Sequence, residues 1–164
     1  MKSGTAGHPM TEHVARYVLP AALGLLPERM DSPAARAMLL SIGLQESRFT
    51  ARVQFGGPAR GFWQFERAGI RGVLAHPVTA PILLSAVAAL CYVPSVAVCY
   101  AAVEDNDALA CVFARLLLWT LPGRLARQDE SERAWQDYLA GWRPGKPRRE
   151  TWDANFAEGW RLTT

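Results

Sequence analysis

The fold is decided by the stretch Ser41-Ile42-Gly43-Leu44-Gln45-Glu46-Ser47-Arg48-Phe49, in which an apolar run ends at a glutamate. Upstream, Asp31-Ser32-Pro33 offers a side chain that can cap a helix and a proline suited to its first turn. We therefore predict a helix over residues 34–45, with an apolar stripe formed by Ala35, Met38, Leu39 and Ile42.

Glu46 continues this apolar stripe one turn beyond Ile42, at the C-terminal end of the predicted helix. Burial penalises the charged carboxylate, and the helix dipole disfavours an anion at this end. We therefore expect a raised pKa for Glu46, which suits a general acid that works near neutral pH. The alternative is that Glu46 turns into solvent as the helix ends.

A glycine-rich loop follows the helix and leads into an aromatic segment, Gln54-Phe55-Gly56-Gly57-Pro58-Ala59-Arg60-Gly61-Phe62-Trp63-Gln64-Phe65. Glycine lets the backbone approach a ligand closely, and the flat faces of Phe62 and Trp63 suit stacking on sugars or bases. A glutamate at a helix end, followed by such a loop, favours a catalytic interpretation of Glu46.

These two motifs resemble those of the lytic transglycosylase and goose-type lysozyme group, and most of all its bacteriophage-encoded members. In that group a Glu-Ser pair ends a helix, and a Gly-Leu-Met-Gln-like segment crosses the cleft opposite it. Here Glu46-Ser47 and Gly61-Phe62-Trp63-Gln64 stand in those places, with aromatic residues replacing the aliphatic pair. The resemblance implies a mainly α, lysozyme-like single domain with a short or vestigial β segment near the cleft.

A third motif of the group is a late Tyr-Asn-Ala-Gly stretch, which sets a tyrosine beside the catalytic glutamate. Tyr138-Leu139-Ala140-Gly141 is similar to it, with leucine in place of asparagine. Trp142-Arg143-Pro144-Gly145-Lys146 is an alternative match, so both segments remain candidates for this role.

The resemblance implies cleavage of the β-1,4 bond between MurNAc and GlcNAc in peptidoglycan. Glu46 is expected to protonate the glycosidic oxygen and then to take a proton from the sugar's own C6 hydroxyl, which leaves a 1,6-anhydro product. Ser47 and Gln64 are expected to orient Glu46 and the sugar N-acetyl group. The remaining substrate-binding residues are expected to be Arg60, Phe62, Trp63, Tyr138 and Trp142.

Three different functions remain possible beside this one. A lysozyme-type hydrolase on the same bond needs a second carboxylate to activate water, and Glu66 is the local candidate. Because Glu66 begins a predicted helix over residues 66–76, a structural role at the positive end of the helix is favoured for it. The second possibility is a non-catalytic wall-binding protein, and the third is a membrane-associated protein built on residues 72–103.

Residues 72–103 contain no Lys, Arg, Asp or Glu, which calls for a membrane test. Pro77, Pro81 and Pro94 interrupt this run, so we predict two buried helices, over residues 79–92 and 95–103, rather than a stable membrane span. A further helix, apolar on nearly every side, is predicted from Asp105 or Asn106 to Trp119 as the centre of the core.

Composition suits one compact domain. The chain has 164 residues, 50% of them hydrophobic, and helix formers dominate without sustained strand alternation. We assign the domain to residues 11–164 and expect residues 1–10 to be disordered. Cys91, Cys99 and Cys111 are expected to be buried thiols, because their neighbours are apolar and their spacing is not that of a metal site.

The charge of +3 and pI of about 9.0 suit an anionic polymer such as the bacterial wall, and would equally suit nucleic acid. With the motifs above, we expect peptidoglycan glycan strands as the partner, no nucleic acid, a monomer, and no metal or other cofactor. No secretory signal pattern is seen. The expected place of action is the cell wall in the periplasm, reached through a membrane lesion or from a virion.

Overall fold

The computed structural model describes residues 8–163, and these residues form a mainly helical domain. The α-helices are α1 (Pro9–His13), α2 (Leu19–Leu23), α3 (Pro33–Glu46), α4 (Arg67–Ala75), α5 (Ala80–Ala89), α6 (Val96–Asp105), α7 (Asp107–Trp119), α8 (Ser131–Trp142) and α9 (Arg149–Arg161). A π-helical turn, Val14–Val18, joins α1 to α2, and a 3-10 turn, Glu28–Met30, precedes α3. The predicted mainly α fold class is confirmed.

Extended structure within residues 8–163 consists of two isolated antiparallel bridges, Val53 with Arg60 and Arg60 with Phe65. Both lie in the glycine-rich loop between α3 and α4. Gly61 sits between the bridges with a φ of 74°, and a Cβ there would lie 2.3 Å from the carbonyl oxygen of Val103. Only glycine fits this close approach, which holds the loop against the end of α6.

Helix α3 forms where its cap and its apolar stripe predict it. The Ser32 hydroxyl accepts the N–H of Ala35 at 3.1 Å, and Pro33 is the first helical residue. The helix runs one residue further at each end than predicted, so Glu46 is its last residue. The four stripe residues are at most 2% exposed.

Helix α7 is the centre of the core and packs against α2, α3, α4, α5, α6 and α8. It begins after Asn106, whose side-chain oxygen accepts the N–H of Leu109 at 2.9 Å, and it ends at Trp119, as predicted. Nearly every residue from Leu109 to Leu118 is buried. A helix that is apolar on all sides is stable only when other elements enclose it, which explains its central position.

Helix α9 packs along α3 and closes the domain. The contact is close at Gly159, where an added Cβ would lie 2.5 Å from both the Ala37 carbonyl oxygen and the Ser41 hydroxyl. Trp152 and Phe156 of α9 are buried in this contact region. The helix starts at Arg149, so Thr151 lies inside its first turn.

The N-terminal helix begins at Pro9, within the segment that is predicted to be disordered. Pro9 and Met10 belong to α1, so the predicted disorder of residues 1–10 is wrong for these two positions, and residues 1–7 lie outside the described part of the chain. Proline suits the first helical turn because its missing N–H has no intrahelical partner there. Pro20 lies in the first turn of α2, just after the π-helical turn. A proline in a helix removes one backbone hydrogen bond, and the regular α-helical pattern is interrupted just before it.

The uncharged region forms α5, which is shorter than predicted, and α6, which is longer, with Pro94 between them. The prediction that both helices are buried is correct for one face only, formed by Leu83, Ala86 and Val87 of α5 and by Cys99 and Val103 of α6. Among the described residues, no single helix is long and apolar enough to cross a bilayer. The pair α4 and α5 passes a test of length and composition together, but the two helices are bent by 111°.

The three cysteines are free thiols in two different environments. Cys99 in α6 and Cys111 in α7 are buried, as predicted. Cys91 is exposed, which corrects the prediction for this residue. Because α5 has already ended at Ala89, the chain turns at Cys91 with a φ of 61° and no longer follows the buried face of the helix.

Candidate active site

A groove of about 380 Å³ lies where the end of α3, the glycine-rich loop, and the segment after α8 meet. Its wall includes Glu46 from α3, Gln64 from the loop and Tyr138 from α8. Polar and charged side chains dominate this wall, so the groove suits a hydrophilic ligand with many hydroxyl and amide groups.

Glu46 is half-buried at the C-terminal end of α3, and within residues 8–163 its carboxylate has one side-chain hydrogen-bond partner, Tyr138. The Tyr138 hydroxyl donates to Glu46 Oε1 at 2.6 Å. This is the short distance expected when the acceptor is a charged carboxylate. The structure thus brings together the glutamate and the first of the two candidate segments for the late motif.

Burial raises the pKa of Glu46 above its usual range, while the hydrogen bond from Tyr138 and the positive charge of Arg148 act in the opposite direction. Burial is the largest of these influences, so the net shift is upward. Burial and the neighbouring Glu46 carboxylate raise the pKa of Tyr138, so its hydroxyl stays protonated and remains a donor at neutral pH. The site therefore places the Glu46 carboxyl group, which retains its proton to higher pH than an ordinary glutamate, beside the neutral hydroxyl donor of Tyr138.

A reciprocal contact between Gln45 and Arg148 fixes the backbone just before the glutamate. Arg148 Nη2 donates to the Gln45 carbonyl at 2.6 Å, and Gln45 Nε2 donates to the Arg148 carbonyl at 2.9 Å. The Gln45 side-chain oxygen also accepts from Thr151 and Asn155 of α9. These bonds tie the end of α3 to the start of α9, and neither Gln45 nor Arg148 was identified from the sequence.

The Ser47 side chain forms a hydrogen bond with the glycine-rich loop rather than with the Glu46 carboxylate. Its hydroxyl donates to the Phe62 carbonyl at 2.7 Å and accepts the N–H of Phe49 at 3.1 Å. The side chain is buried behind the groove and is not part of its wall. The prediction that Ser47 contacts substrate is therefore corrected: this residue joins the end of α3 to the cleft loop.

Phe62 and Trp63 are core residues, so the prediction that they wall the groove is wrong. They are 2% and 0% exposed, and their rings meet the edge of Phe49 at centroid distances of 5.4 and 5.8 Å. The Trp63 indole N–H donates to the Leu39 carbonyl at 2.9 Å, which satisfies its buried polar atom. Rings buried on both faces cannot stack on a sugar.

Arg60 is likewise directed away from the groove. Its guanidinium pairs with Glu104 of α6 at 3.1 Å and donates to the Gly57 and Ala59 carbonyls at 3.0 Å. These contacts brace the glycine-rich loop, so the prediction of direct substrate binding is corrected for Arg60. Gln64, in contrast, is in the groove wall, and its Nε2 donates to the Gly61 carbonyl at 2.9 Å.

Two of the predicted aromatic residues, Tyr138 and Trp142, line the groove. Tyr138 is only 3% exposed, so the prediction that its ring packs on substrate is corrected for this residue. The Tyr138 ring is stacked between Trp142 and Trp152, at centroid distances of 6.4 and 5.2 Å. The Trp142 indole N–H donates to the Trp63 carbonyl at 2.9 Å, which fixes the ring beside the cleft segment. Stacking on both faces holds the Tyr138 hydroxyl in place against Glu46.

Glu66 lines the same groove as Glu46. It precedes α4 as its N-cap residue, but its side chain makes no capping hydrogen bond and is exposed. Its position at the start of a helix was predicted, and its carboxylate lies in the groove, as the hydrolase alternative requires, rather than in a capping hydrogen bond.

The segment after α8 is basic and also lines the groove, through Arg143, Lys146 and Arg148. The backbone of Arg143 adopts a left-handed conformation with a φ of 48°, which ends α8 and turns the chain over the groove. The run Gly141-Trp142-Arg143-Pro144-Gly145-Lys146-Pro147-Arg148-Arg149 signals such a segment through its prolines and positive charges. These cations were not assigned to the site from the sequence.

No family model, curated protein or solved structure matches the chain. Among the described residues, no group of three or more His, Cys, Asp or Glu side chains is placed to hold a metal ion. Function therefore has to be argued from the groove itself, which offers a partly desolvated acid, a hydroxyl donor, a second carboxylate and three cations.

Proposed function

We propose that this protein is a lytic transglycosylase that cleaves the β-1,4 bond between MurNAc and GlcNAc of peptidoglycan. The observation that carries the proposal is Glu46, whose pKa is raised by burial while its carboxyl group lines an open polar groove. A buried carboxyl group next to a solvent-accessible groove is the arrangement that a general acid requires.

Glu46 transfers its proton to the glycosidic oxygen as the bond to the MurNAc anomeric carbon breaks. The Tyr138 hydroxyl, 2.6 Å away, stabilises the carboxylate that this transfer leaves behind. The C6 hydroxyl of the same MurNAc then attacks the anomeric carbon and gives its proton to Glu46. The products are a 1,6-anhydro sugar and a new free GlcNAc hydroxyl, and Glu46 is protonated again.

The cations of the groove support a substrate that carries negative charge. Arg143, Lys146 and Arg148 all belong to its wall, on the side that follows α8. Each MurNAc of peptidoglycan carries a lactyl group whose attached peptide bears carboxylates, so the basic segment is placed to attract them. Trp142 adds an aromatic surface on which a sugar ring can pack.

Hydrolysis of the same bond is a second candidate, and Glu66 is the observation that favours it. Its exposed carboxylate lines the groove with Glu46 and makes no capping bond to α4. In a hydrolase of this kind one carboxyl group protonates the leaving oxygen while a second activates water. A non-catalytic protein that binds the bacterial cell wall would use the same groove but would release no peptidoglycan fragments.

In the deciding experiment, the protein is incubated with purified peptidoglycan in water enriched in heavy oxygen, and the masses of the released fragments are measured by mass spectrometry. We expect anhydro ends, lighter by one water than hydrolysis products and free of the label. Glu46→Gln, which keeps the shape but cannot transfer a proton, should lower the rate by at least about 100-fold. Glu28→Gln, at an exposed position outside the groove, is the matched control.

Three different outcomes would change the assignment. Labelled reducing ends, together with loss of activity in Glu66→Gln, would establish the hydrolase instead. Wild-type rates in a folded Glu46→Gln variant would remove Glu46 from the chemistry. Binding to peptidoglycan without release of any fragment would indicate a non-catalytic binding protein.

A further inference from the structure

A second cavity, of about 470 Å³, lies at the opposite end of α3 from Glu46. It is open to solvent and is lined by the start of α3, the C-terminal half of α7 and the loop that follows α7. None of its wall residues belongs to the groove described above. This cavity is therefore a separate feature of the molecule, and the proposed glycan chemistry makes no use of it.

Arg115 of α7 is the unusual residue in this cavity wall. It is only 3% exposed, and its Nε donates to the Met30 carbonyl at 2.7 Å. Its Nη1 is buried and has no hydrogen-bond partner within residues 8–163. Burial lowers the pKa of Arg115 to about 10, so the guanidinium still carries its charge at neutral pH.

No carboxylate pairs with Arg115 among the described residues. Asp31 influences it electrostatically, but both Asp31 oxygens are engaged by Arg36 at 2.7 Å. The face of Trp119, whose ring centroid lies 5.0 Å from the guanidinium carbon, is the other stabilising contact. A buried cation with an unused donor is costly to maintain unless an anion compensates it.

Other positive groups point to the same kind of ligand. Arg29 lines the cavity and lies 5.9 Å from the Trp119 ring centroid. Ser32 and Ala34 bring the N-terminus of the 14-residue helix α3 into the wall, where the helix dipole is positive. Arg124 is also present, but it is already paired with Glu130 at 2.7 Å.

The rest of the wall is apolar. Leu118, Trp119, Leu121 and Leu125 contribute hydrocarbon surface beside the charged end. Inorganic phosphate alone would leave this surface in contact with water, whereas a ligand with an apolar body would cover it.

We propose that this cavity binds a small organic anion, with its acidic group on Arg115 and at the start of α3, and its apolar body against Leu118 and Trp119. The acidic group is a carboxylate or a phosphate, since both accept hydrogen bonds from a guanidinium and from a helix N–H. At the start of α3 this N–H is that of Ala34, because Pro33 has none and the Ser32 hydroxyl accepts that of Ala35. The cavity volume of about 470 Å³ leaves room for an apolar body of at least one aromatic ring. Binding at this site is independent of Glu46.

The test measures binding to the full chain by calorimetry and by the shift in melting temperature. The probes are benzoate, benzyl phosphate, uncharged benzyl alcohol and inorganic phosphate. We expect benzoate or benzyl phosphate to bind and to raise the melting temperature by mass action. Benzyl alcohol and inorganic phosphate should bind at least about 10-fold more weakly, since each lacks one half of the recognised structure.

Arg115→Met keeps an unbranched apolar stem but removes the guanidinium and its charge, so it should weaken binding about 10- to 100-fold. Because this change also removes the bond to Met30, Arg29→Gln at an exposed position is the second variant, with an expected loss of several-fold. Arg71→Gln, an exposed charge loss outside the cavity, is the control and should bind normally.

Three results would overturn the proposal. One is equal binding of benzoate and benzyl alcohol, which would make the charge irrelevant. Another is unchanged binding in both Arg29→Gln and a folded Arg115→Met. The third is no binding of benzoate or benzyl phosphate to the wild-type chain. Because the readout is binding alone, these results are distinguishable from failure of the proposed glycan cleavage.

Discussion

At the scale of single residues, Glu46 is subject to opposing influences. Burial raises its pKa, whereas the Tyr138 hydrogen bond and the Arg148 charge lower it. A general acid benefits from this balance, because it must hold a proton near neutral pH and also tolerate the charge that follows proton transfer. Tyr138 is therefore expected to matter more for the charged state than for the protonated one.

Tyr138→Phe removes the hydroxyl while keeping the stacked ring. Because the lost hydrogen bond stabilises the carboxylate, the pKa of Glu46 should rise further. The alkaline limb of wall lysis should then move to higher pH, while the maximal rate falls about 10- to 100-fold. The pH profile of lysis measures both effects. Tyr17→Phe, at an exposed tyrosine, is the control, and an unshifted limb would refute the role of Tyr138.

The raised pKa of Glu46 also predicts how stability depends on pH. The folded state binds this proton more tightly than the unfolded chain, so stability falls as pH rises from the usual glutamate range through the raised pKa. Glu46→Gln does not titrate, so its melting temperature should exceed that of the wild type at pH 7. The difference should shrink below about pH 4, where glutamate is protonated in both states. A Glu46→Gln variant that is less stable at pH 7 would contradict the desolvation of this carboxyl group.

At the scale of secondary-structure elements, the close contact of α3 and α9 depends on one missing side chain. Gly159→Ala places a Cβ about where the Ala37 carbonyl and the Ser41 hydroxyl already lie, at 2.5 Å. The helices must separate, so we expect a loss of about 1–3 kcal/mol in the free energy of unfolding, measured by urea denaturation.

The matched control is Gly72→Ala, in the interior of α4, where nothing lies within 4 Å of the added Cβ. Alanine is favoured over glycine in a helix, so this variant should gain about 0.5–1 kcal/mol. Equal stability of the Gly159→Ala variant and the wild type would show that α3 and α9 are not packed this closely.

The same elements show how far local sequence signals determine structure. The start of α3, the start of α7 and the buried stripe of α3 were predictable because caps and apolar periodicity are local properties. The start of α9 was not, since it depends on the contact of Arg148 with Gln45, 103 residues earlier. Long-range contacts of this kind leave no local pattern to recognise.

At the scale of the whole molecule, the uncharged region contributes one face of each of its helices to the core, and α5 shows this. Val87 is 0% exposed, whereas Leu84 on the same helix is 49% exposed. Val87→Asp buries an unpaired charge and should cost at least about 3 kcal/mol, or prevent folding. Leu84→Asp should change stability by less than about 0.5 kcal/mol, because its charge stays in water. Similar damage from both changes would indicate that α5 is enclosed on every side, as in a bilayer.

The candidate site was predictable only in part. Glu46 was found because a carboxylate on an apolar stripe conflicts with its surroundings, and Tyr138 was found through motif resemblance. Phe62 and Trp63 were wrongly predicted to line the groove, because the sequence of an aromatic pair is the same whether the pair faces a ligand or the core. Their burial depends on Leu39 and Phe49, which come into contact with them only in the folded chain.

The thiols provide a chemical readout of transient opening. Cys91 is exposed, while Cys99 and Cys111 are enclosed in α6 and α7, where burial also raises the pKa of both groups. A disulfide reagent should therefore consume one equivalent at once and two more only as the core exchanges with open states. With fast reclosing, the slow phase reports the population of those states, so destabilised variants can be ranked in native buffer without denaturant.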